Sequence, residues 1–179
     1  MRPWPVFNCF GDAMRPVPRP ATIGFDALDA CHQQIFAHLN LLTGLAAQVA
    51  ANGVDAVAQQ QAALIETFFS GTSRQHHLDE EKNVFAPLLA GSDAELTALV
   101  RVLQQDHGWI EENWLELAPQ LRAMALGNGW YDEAEFQHNV EVFFDLCQGH
   151  IELEEKMIYP QARTLALQSG AKRLVRMPQ

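Results

Sequence analysis

Two ten-residue segments of this chain repeat one pattern, HHLDEEKNVF at 76–85 and HIELEEKMIY at 150–159. Each contains a histidine, three other residues, Glu-Glu-Lys, one further residue, a β-branched apolar residue and an aromatic residue. On a helix, side chains four residues apart project from one face, about 6 Å apart along the axis. The histidine and the first glutamate of each segment can therefore bind one object together, most simply a metal ion. The repeat predicts that His76 with Glu80, and His150 with Glu154, are metal ligands.

The first segment contains a second pair at the same spacing, His77 and Glu81. Only the pair His76 and Glu80 aligns the lysine and the final aromatic residue with their counterparts in the second segment. We therefore interpret His77 as lying behind the ligands or at the surface. The other polar residues of the repeat are interpreted as solvated helix faces with local charge pairs, and its final aromatic residues as core packing. These residues are Glu81, Lys82, Glu155, Lys156, Phe85 and Tyr159.

Apolar residues recur at three- and four-residue steps in four stretches, which predicts four amphipathic helices. The stretches run from about Phe25 to Asn52, from after Gly53 to Leu89, from Ser92 past Pro119 to about Gly127, and from Asp132 to near Gln168. Because the loops between them are short, we predict an all-α fold, an up-down-up-down four-helix bundle over residues 23–168. We expect residues 1–22 to form a proline-rich N-terminal arm and residues 169–179 to form a short basic tail.

Local signals refine these helices. Ser92 and Glu95 have the spacing of a capping box, and Asp132 with Glu135 begins the fourth helix in the same way. Gly71 predicts a weak point in the second helix. Pro160 predicts a kink in the fourth helix.

Two further histidines lie at the same depth in the predicted bundle as the His-Glu pairs of the repeat. At 1.5 Å per residue, His32 lies about 8 residues into the first helix and His107 about 14 into the third. In an antiparallel bundle these depths match those of the His-Glu pairs on the second and fourth helices. We therefore predict one layer of metal ligands, composed of His32, His76, Glu80, His107, His150 and Glu154.

The chemistry of this layer calls for cations. An ionised carboxylate buried in a bundle core costs many kcal/mol unless it is paired or bound to metal. Two divalent ions would satisfy the two carboxylates and four imidazoles, with each glutamate bridging the pair. Mixed imidazole and carboxylate ligation suits iron, with manganese and zinc as alternatives. The pattern is typical of carboxylate-bridged di-iron bundles.

These residues resemble the hemerythrin family, specifically the hemerythrin HHE cation-binding domain. The resemblance covers about Phe25 to Gln168 and is most specific in the two His-x-x-x-Glu-Glu segments. It implies a four-helix bundle around a non-haem di-iron centre with two carboxylate bridges and often an oxo or hydroxo bridge. By resemblance, the two glutamates bridge, His32 and His76 serve one iron, and His107 and His150 serve the other.

The chain departs from the oxygen-carrying members of that family. Those have five histidines, including a His-x-x-x-His pair on the third helix, and an aspartate as one bridge. Here the residues four positions either side of His107 are Leu103 and Glu111. The site is then one imidazole short, and a vacant position, water or Glu111 would complete it.

Two functions follow from that departure. The first is a di-iron protein that binds or senses oxygen or nitric oxide, or responds to redox state, at the open position. The second is iron storage or delivery, or a partner-binding module stabilised by metal. The sequence contains no general-acid, nucleophile or organic-cofactor motif, so an enzymatic activity is left open.

Charge and hydropathy limit the partners. The net charge is −10, and half of the 12 lysines and arginines lie in the terminal segments, which leaves a strongly acidic body. Such a surface repels phosphate backbones and argues against nucleic-acid binding. No apolar run approaches the ~20 residues of a membrane-spanning helix, and the first residues lack the apolar core of a secretory signal. We expect a cytoplasmic monomer or homodimer.

Overall fold

A computed structural model describes residues 24–128 and 131–175, with side chains to residue 168. All regular structure in these ranges is helical, in four long runs. The first and third are single helices, α1 (Phe25–Asn52) and α5 (Ala94–Ala125). The second consists of α2 (Ala56–Thr67), π1 (Phe68–Ser73), α3 (Arg74–Glu80), π2 (Glu81–Phe85) and α4 (Ala86–Leu89). The fourth consists of α6 (Glu133–Leu153), π3 (Glu154–Ile158) and α7 (Tyr159–Val175).

The four runs pack as a closed ring. Helix α1 contacts α2 and α6, and α5 contacts the same two helices from the opposite side. This confirms the predicted all-α class and the helical bundle, and it is consistent with the predicted up-down-up-down order. No helix in the described part of the chain has the length and apolarity needed to cross a membrane. The predicted arm over residues 1–22 lies outside the described residues.

Aspartates begin three of the helices. Asp55, Asp93 and Asp132 each accept a hydrogen bond from the backbone N–H three residues later, at 2.8, 3.0 and 2.9 Å. The cap at Asp132 confirms the predicted start of the fourth helix. The predicted capping box at Ser92 is wrong, because the helix begins one residue later and Asp93 supplies the cap.

Irregular points of the second and fourth runs lie near the predicted ones. Gly71 lies in π1, so the predicted weak point is a π segment rather than a break. Pro160 lies in the first turn of α7, directly after π3, where its missing N–H disturbs the helix least. The backbone of α7 continues to Val175, beyond the end predicted near Gln168.

The apolar core is divided into two clusters by a polar layer. The larger cluster includes Leu39, Leu121 and Phe143, and the smaller one includes Leu28 and Leu103. On α1, His32 lies between Leu28 of the smaller cluster and Ile35 of the larger one. On the other three runs the predicted ligands likewise lie between residues of the two clusters, so all six are at one level of the bundle.

Candidate metal centre

All six predicted ligands are buried in this layer. Their exposed fractions are 0% for Glu80 and Glu154 and between 1% and 7% for the four histidines. Burial of so many polar side chains together is unusual for a bundle core, which normally excludes them. The layer is therefore the candidate functional site.

The first of two ligand groups lies between α1, α3 and π3, and we call it the His32 group. It comprises His32, His76, Glu80 and Glu154, each offering one atom within 4.8 Å of the others. His32 Nε2 lies 3.3 Å from Glu154 Oε2 and 3.5 Å from Glu80 Oε1. His76 Nε2 lies 3.2 Å from Glu80 Oε1.

The second group, which we call the His107 group, comprises His77, Glu80, His107 and His150. The Nε2 atoms of His107 and His150 face each other at 3.1 Å. The ring of His77 stacks on that of His107 with centroids 4.2 Å apart. Helices α3, α5 and α6 thus contribute one imidazole each to the His107 group.

Glu80 belongs to both groups. Its Oε1 faces His32 and His76, while its Oε2 lies 3.6 Å from His107 Nε2. Glu154 also lies between histidines of the two groups, since its Oε2 is 3.4 Å from His150 Nε2. A carboxylate facing two ligand groups has the position that a bridge between two ions requires.

The structure bears on the interpretation of His77 and Glu111. His77 is partly buried and is grouped with Glu80, His107 and His150, which makes it a further candidate ligand. Glu111 forms an ion pair with Arg74 at 2.8 Å and belongs to neither group. With His77, the layer contains five histidines that could bind metal.

Unpartnered atoms test whether a metal fits. Among the described residues, both oxygens of Glu154 and Oε2 of Glu80 are buried without a hydrogen-bond donor. Buried acceptors are normally satisfied, and a carboxylate oxygen left bare is costly. Two nitrogen ligands about 2.1 Å from one ion and at right angles are about 3 Å apart. The donor spacings of 3.1 to 3.6 Å therefore fit bound cations.

The predicted core residue Tyr159 also reaches the site through its hydroxyl. Its ring stacks on His32, with centroids 5.3 Å apart. The hydroxyl donates a hydrogen bond to Glu80 Oε1 and lies 3.2 Å from His32 Nε2. Burial and the charges of Glu80 and Glu154 raise the pKa of Tyr159, so the hydroxyl stays protonated and donates.

Burial and the neighbouring carboxylates shift the pKa values of the histidines in different directions. Burial lowers the pKa of His32, but contacts with three glutamates outweigh burial and raise it to about 10. His107 behaves alike, because Glu80 and Glu81 outweigh burial and raise its pKa. Burial lowers the pKa of His76 to about 4. Without metal, the protonated imidazole of His32 compensates the carboxylates in part, the role that a cation would otherwise take.

The second glutamate of each repeat contacts a histidine on another helix. Glu155 Oε1 lies 3.0 Å from His32 Nδ1, and Glu81 Oε1 lies 3.1 Å from His107 Nδ1. These side chains were interpreted as solvated faces with local charge pairs. Both are solvent-exposed as expected, but the expected local pairing is wrong, because the histidine partner of each lies on another helix. The sequence feature that could have indicated a shared role for these glutamates is their equivalent position in the two segments.

Two grooves beside α1 reach the His32 group. The first has a volume of about 640 Å³, lies between α1 and α7, and includes His32 and Tyr159 in its lining. The second has a volume of about 600 Å³ and includes His76 and Cys31. Burial raises the pKa of the Cys31 thiol to about 11, so it stays protonated at neutral pH.

A helical bundle that encloses a layer of imidazoles and carboxylates defines the class of bundles with buried cation sites. The hemerythrin HHE cation-binding domain model matches residues 23–162. The chain therefore belongs to the hemerythrin HHE cation-binding domain family, which confirms the resemblance found in the sequence. None of the curated proteins compared with the chain matches it.

Proposed function

We propose that this protein holds two iron ions, one in the His32 group and one in the His107 group, bridged by Glu80 and Glu154. The observation that carries the proposal is the position of Glu80, whose two oxygens face histidines of different groups. The ligands would be the six predicted residues together with His77. Mixed nitrogen and oxygen donors suit iron over magnesium or calcium, which prefer oxygen alone.

We further propose that a small diatomic molecule, oxygen or nitric oxide, binds on the His32 side. The His107 group contains three imidazoles, whereas the His32 group contains two. With both glutamates bridging, the iron of the His32 group would have four protein donors and the iron of the His107 group five, so the former would have more room for an external ligand, and both grooves lead to it. Iron would supply an open coordination position and a change of oxidation state.

The residues around this position have their own roles. The Tyr159 hydroxyl donates to Glu80 and holds one carboxylate oxygen in place. The rings of Tyr159 and Phe85 stack on His32 and His107 and keep water from the imidazoles. These contacts would keep the ligands in one orientation before and after the diatomic molecule binds.

Burial of the ligands favours this function over iron delivery. Each of the six predicted ligands is at most 7% exposed, so we expect bound ions to exchange slowly even where a groove reaches the ligands. Delivery would require faster exchange than we expect from such a layer. Sensing of a small molecule requires only that the molecule enter.

Iron loading and spectroscopy test the proposal. The full chain, loaded anaerobically with ferrous iron, should retain two irons by elemental analysis. After exposure to air it should absorb in the near ultraviolet, and azide or nitric oxide should change the spectrum. His32→Ala should abolish the change, while His38→Ala on the same helix, which stacks on Phe68 outside both groups, should not. A colourless chain that retains only zinc would count against iron and the diatomic ligand.

A further inference from the structure

We propose that the second glutamate of each repeated segment is a positioning residue for a histidine on a helix that lacks the repeat. Glu155 would position His32 of α1, and Glu81 would position His107 of α5. Each copy would then supply three parts of the centre: a histidine, a bridging glutamate and a carboxylate that orients a histidine across the bundle. This inference rests on the proposed metal centre.

The two contacts have the same geometry. In both, Oε1 of the glutamate approaches Nδ1, at 3.0 Å for Glu155 with His32 and at 3.1 Å for Glu81 with His107. The partners are far apart in sequence, so neither contact is a local pair within one helix. Two equivalent residues of a repeat that make equivalent contacts with different helices are not accounted for by general surface polarity.

The contact sets which nitrogen faces the centre. When Nδ1–H is donated to a carboxylate, the lone pair of the neutral imidazole lies on Nε2. Nε2 of His32 faces Glu154, and Nε2 of His107 faces His150. An anionic acceptor also makes the imidazole a stronger donor to a cation.

The histidines of the repeat itself are held differently. Among the described residues, the Nδ1 atoms of His76 and His150 have no hydrogen-bond partner, and Asp106 lies 3.9 Å from His150 Nδ1, beyond hydrogen-bond distance. These two histidines have a bridging glutamate four residues later on the same helix. Glu155 and Glu81 therefore contact the two histidines, His32 and His107, that have no bridging glutamate four residues later on their own helix.

Exposure makes the proposal testable without unfolding the bundle. The side chains of Glu155 and Glu81 are 51% and 41% exposed, so truncation leaves no cavity in the core. Matched controls lie nearby. Glu152 on the fourth run pairs with Lys156, and Asp79 on α3 accepts a hydrogen bond from Gln75, so each is a carboxylate with a local partner only.

The experiment measures loss of iron from the loaded full chain. Ferrous protein is mixed with a chelator specific for ferrous iron, and release is followed by absorbance. Glu155→Ala and Glu81→Ala should each accelerate release of one of the two irons by about 10-fold or more. Glu155→Gln and Glu81→Gln keep an acceptor without the charge and should fall between. Glu152→Ala and Asp79→Ala should match the wild type.

Further readouts separate positioning from loss of structure. All variants should retain wild-type helix content by circular dichroism, and the reduction potential of the iron should shift only in the Glu155 and Glu81 variants. Release rates and potentials equal to those of the controls, in a wild type that holds two irons, would overturn the inference. A wild type that holds no iron would instead overturn the proposed centre on which it rests.

Discussion

The two copies of the repeat differ at two positions that face the centre. The first difference is His77 in one copy against Ile151 in the other. Ile151 packs in the larger apolar cluster, whereas His77 joins the His107 group. The second difference is Phe85 against Tyr159. Both rings stack on a histidine, Phe85 on His107 and Tyr159 on His32, with centroids 5.5 and 5.3 Å apart.

The comparison teaches that one scaffold is used twice with different chemistry. The stacked ring and the cross-helix glutamate are present in both copies, so the framework is nearly symmetric. The third imidazole belongs only to the His107 group, and the hydroxyl that reaches Glu80 belongs only to Tyr159. The two metal positions should therefore differ in affinity and in access.

The largest effect should come from exchanging the two carboxylates proposed as bridges. Glu80 faces the two groups with separate oxygens, whereas Glu154 faces His32 and His150 with the same oxygen, Oε2, and is grouped by its geometry with His32. We expect Glu80→Gln to lose both irons and Glu154→Gln to retain the iron of the His107 group, measured as iron per chain by elemental analysis. Each loss should exceed the ~100-fold weakening typical of residues behind the ligands.

Glu152→Gln is the control for the charge removed, because Glu152 is hydrogen-bonded to Gln148 and Lys156 on its own run, away from the centre. Equal loss of iron in the Glu80 and Glu154 variants would contradict the asymmetry of the two groups.

The next effect should come from removing the third imidazole. His77→Ile gives the first copy the residue of the second, and we expect it to weaken one of the two irons by about 10- to 100-fold. Titration of the metal-free protein with ferrous iron measures this as a rise of about 10- to 100-fold in one of the two dissociation constants, with the other unchanged. His138→Ile, an exposed histidine on α6, is the control. Two unchanged sites in His77→Ile would show that His77 is not a ligand.

His77 also marks the limit of sequence reasoning at this site. Helical periodicity selects residues four apart, and neighbouring residues on an α-helix point about 100° apart. His76 and His77 were therefore treated as alternatives. In the bundle both side chains reach the layer, because the His32 group and the His107 group lie in different directions from α3 and one histidine reaches each. Sequence spacing alone cannot indicate that a helix faces two groups.

What depends on local pattern was predictable, and what depends on side chains meeting across the bundle was not. The four helices, the cap at Asp132 and the common depth of the six predicted ligands follow from periodicity and helical rise. The contacts of Glu81 and Glu155 join residues on different helices, and the hydroxyl of Tyr159 meets Glu80 from another run. No local signal specifies such partners.

A smaller effect should follow from Tyr159→Phe, which gives the second copy the aromatic residue of the first. It removes a buried hydrogen bond to an ionised carboxylate, so we expect the metal-free protein to lose about 2 kcal/mol of unfolding free energy. Urea unfolding followed by circular dichroism measures the loss as a lower midpoint. Tyr131→Phe, whose ring packs on Phe136 away from the centre, should leave the midpoint unchanged. Equal midpoints for the two variants would mean that the hydroxyl contributes nothing to stability.

The smallest effect should come from the exposed difference between the copies. Lys156 pairs with Glu152 at 2.9 Å, whereas the residue equivalent to Glu152 in the first copy is the exposed Leu78. Leu78→Glu would place a carboxylate four residues before Lys82 and recreate the pair. Because exposed ion pairs are weak and screened by salt, the urea midpoint should move less than in Tyr159→Phe, and Leu78→Gln separates charge from lost apolar surface. A larger shift would mean that the copies differ in stability mainly at their solvent face, whereas a small one places their difference in the buried layer.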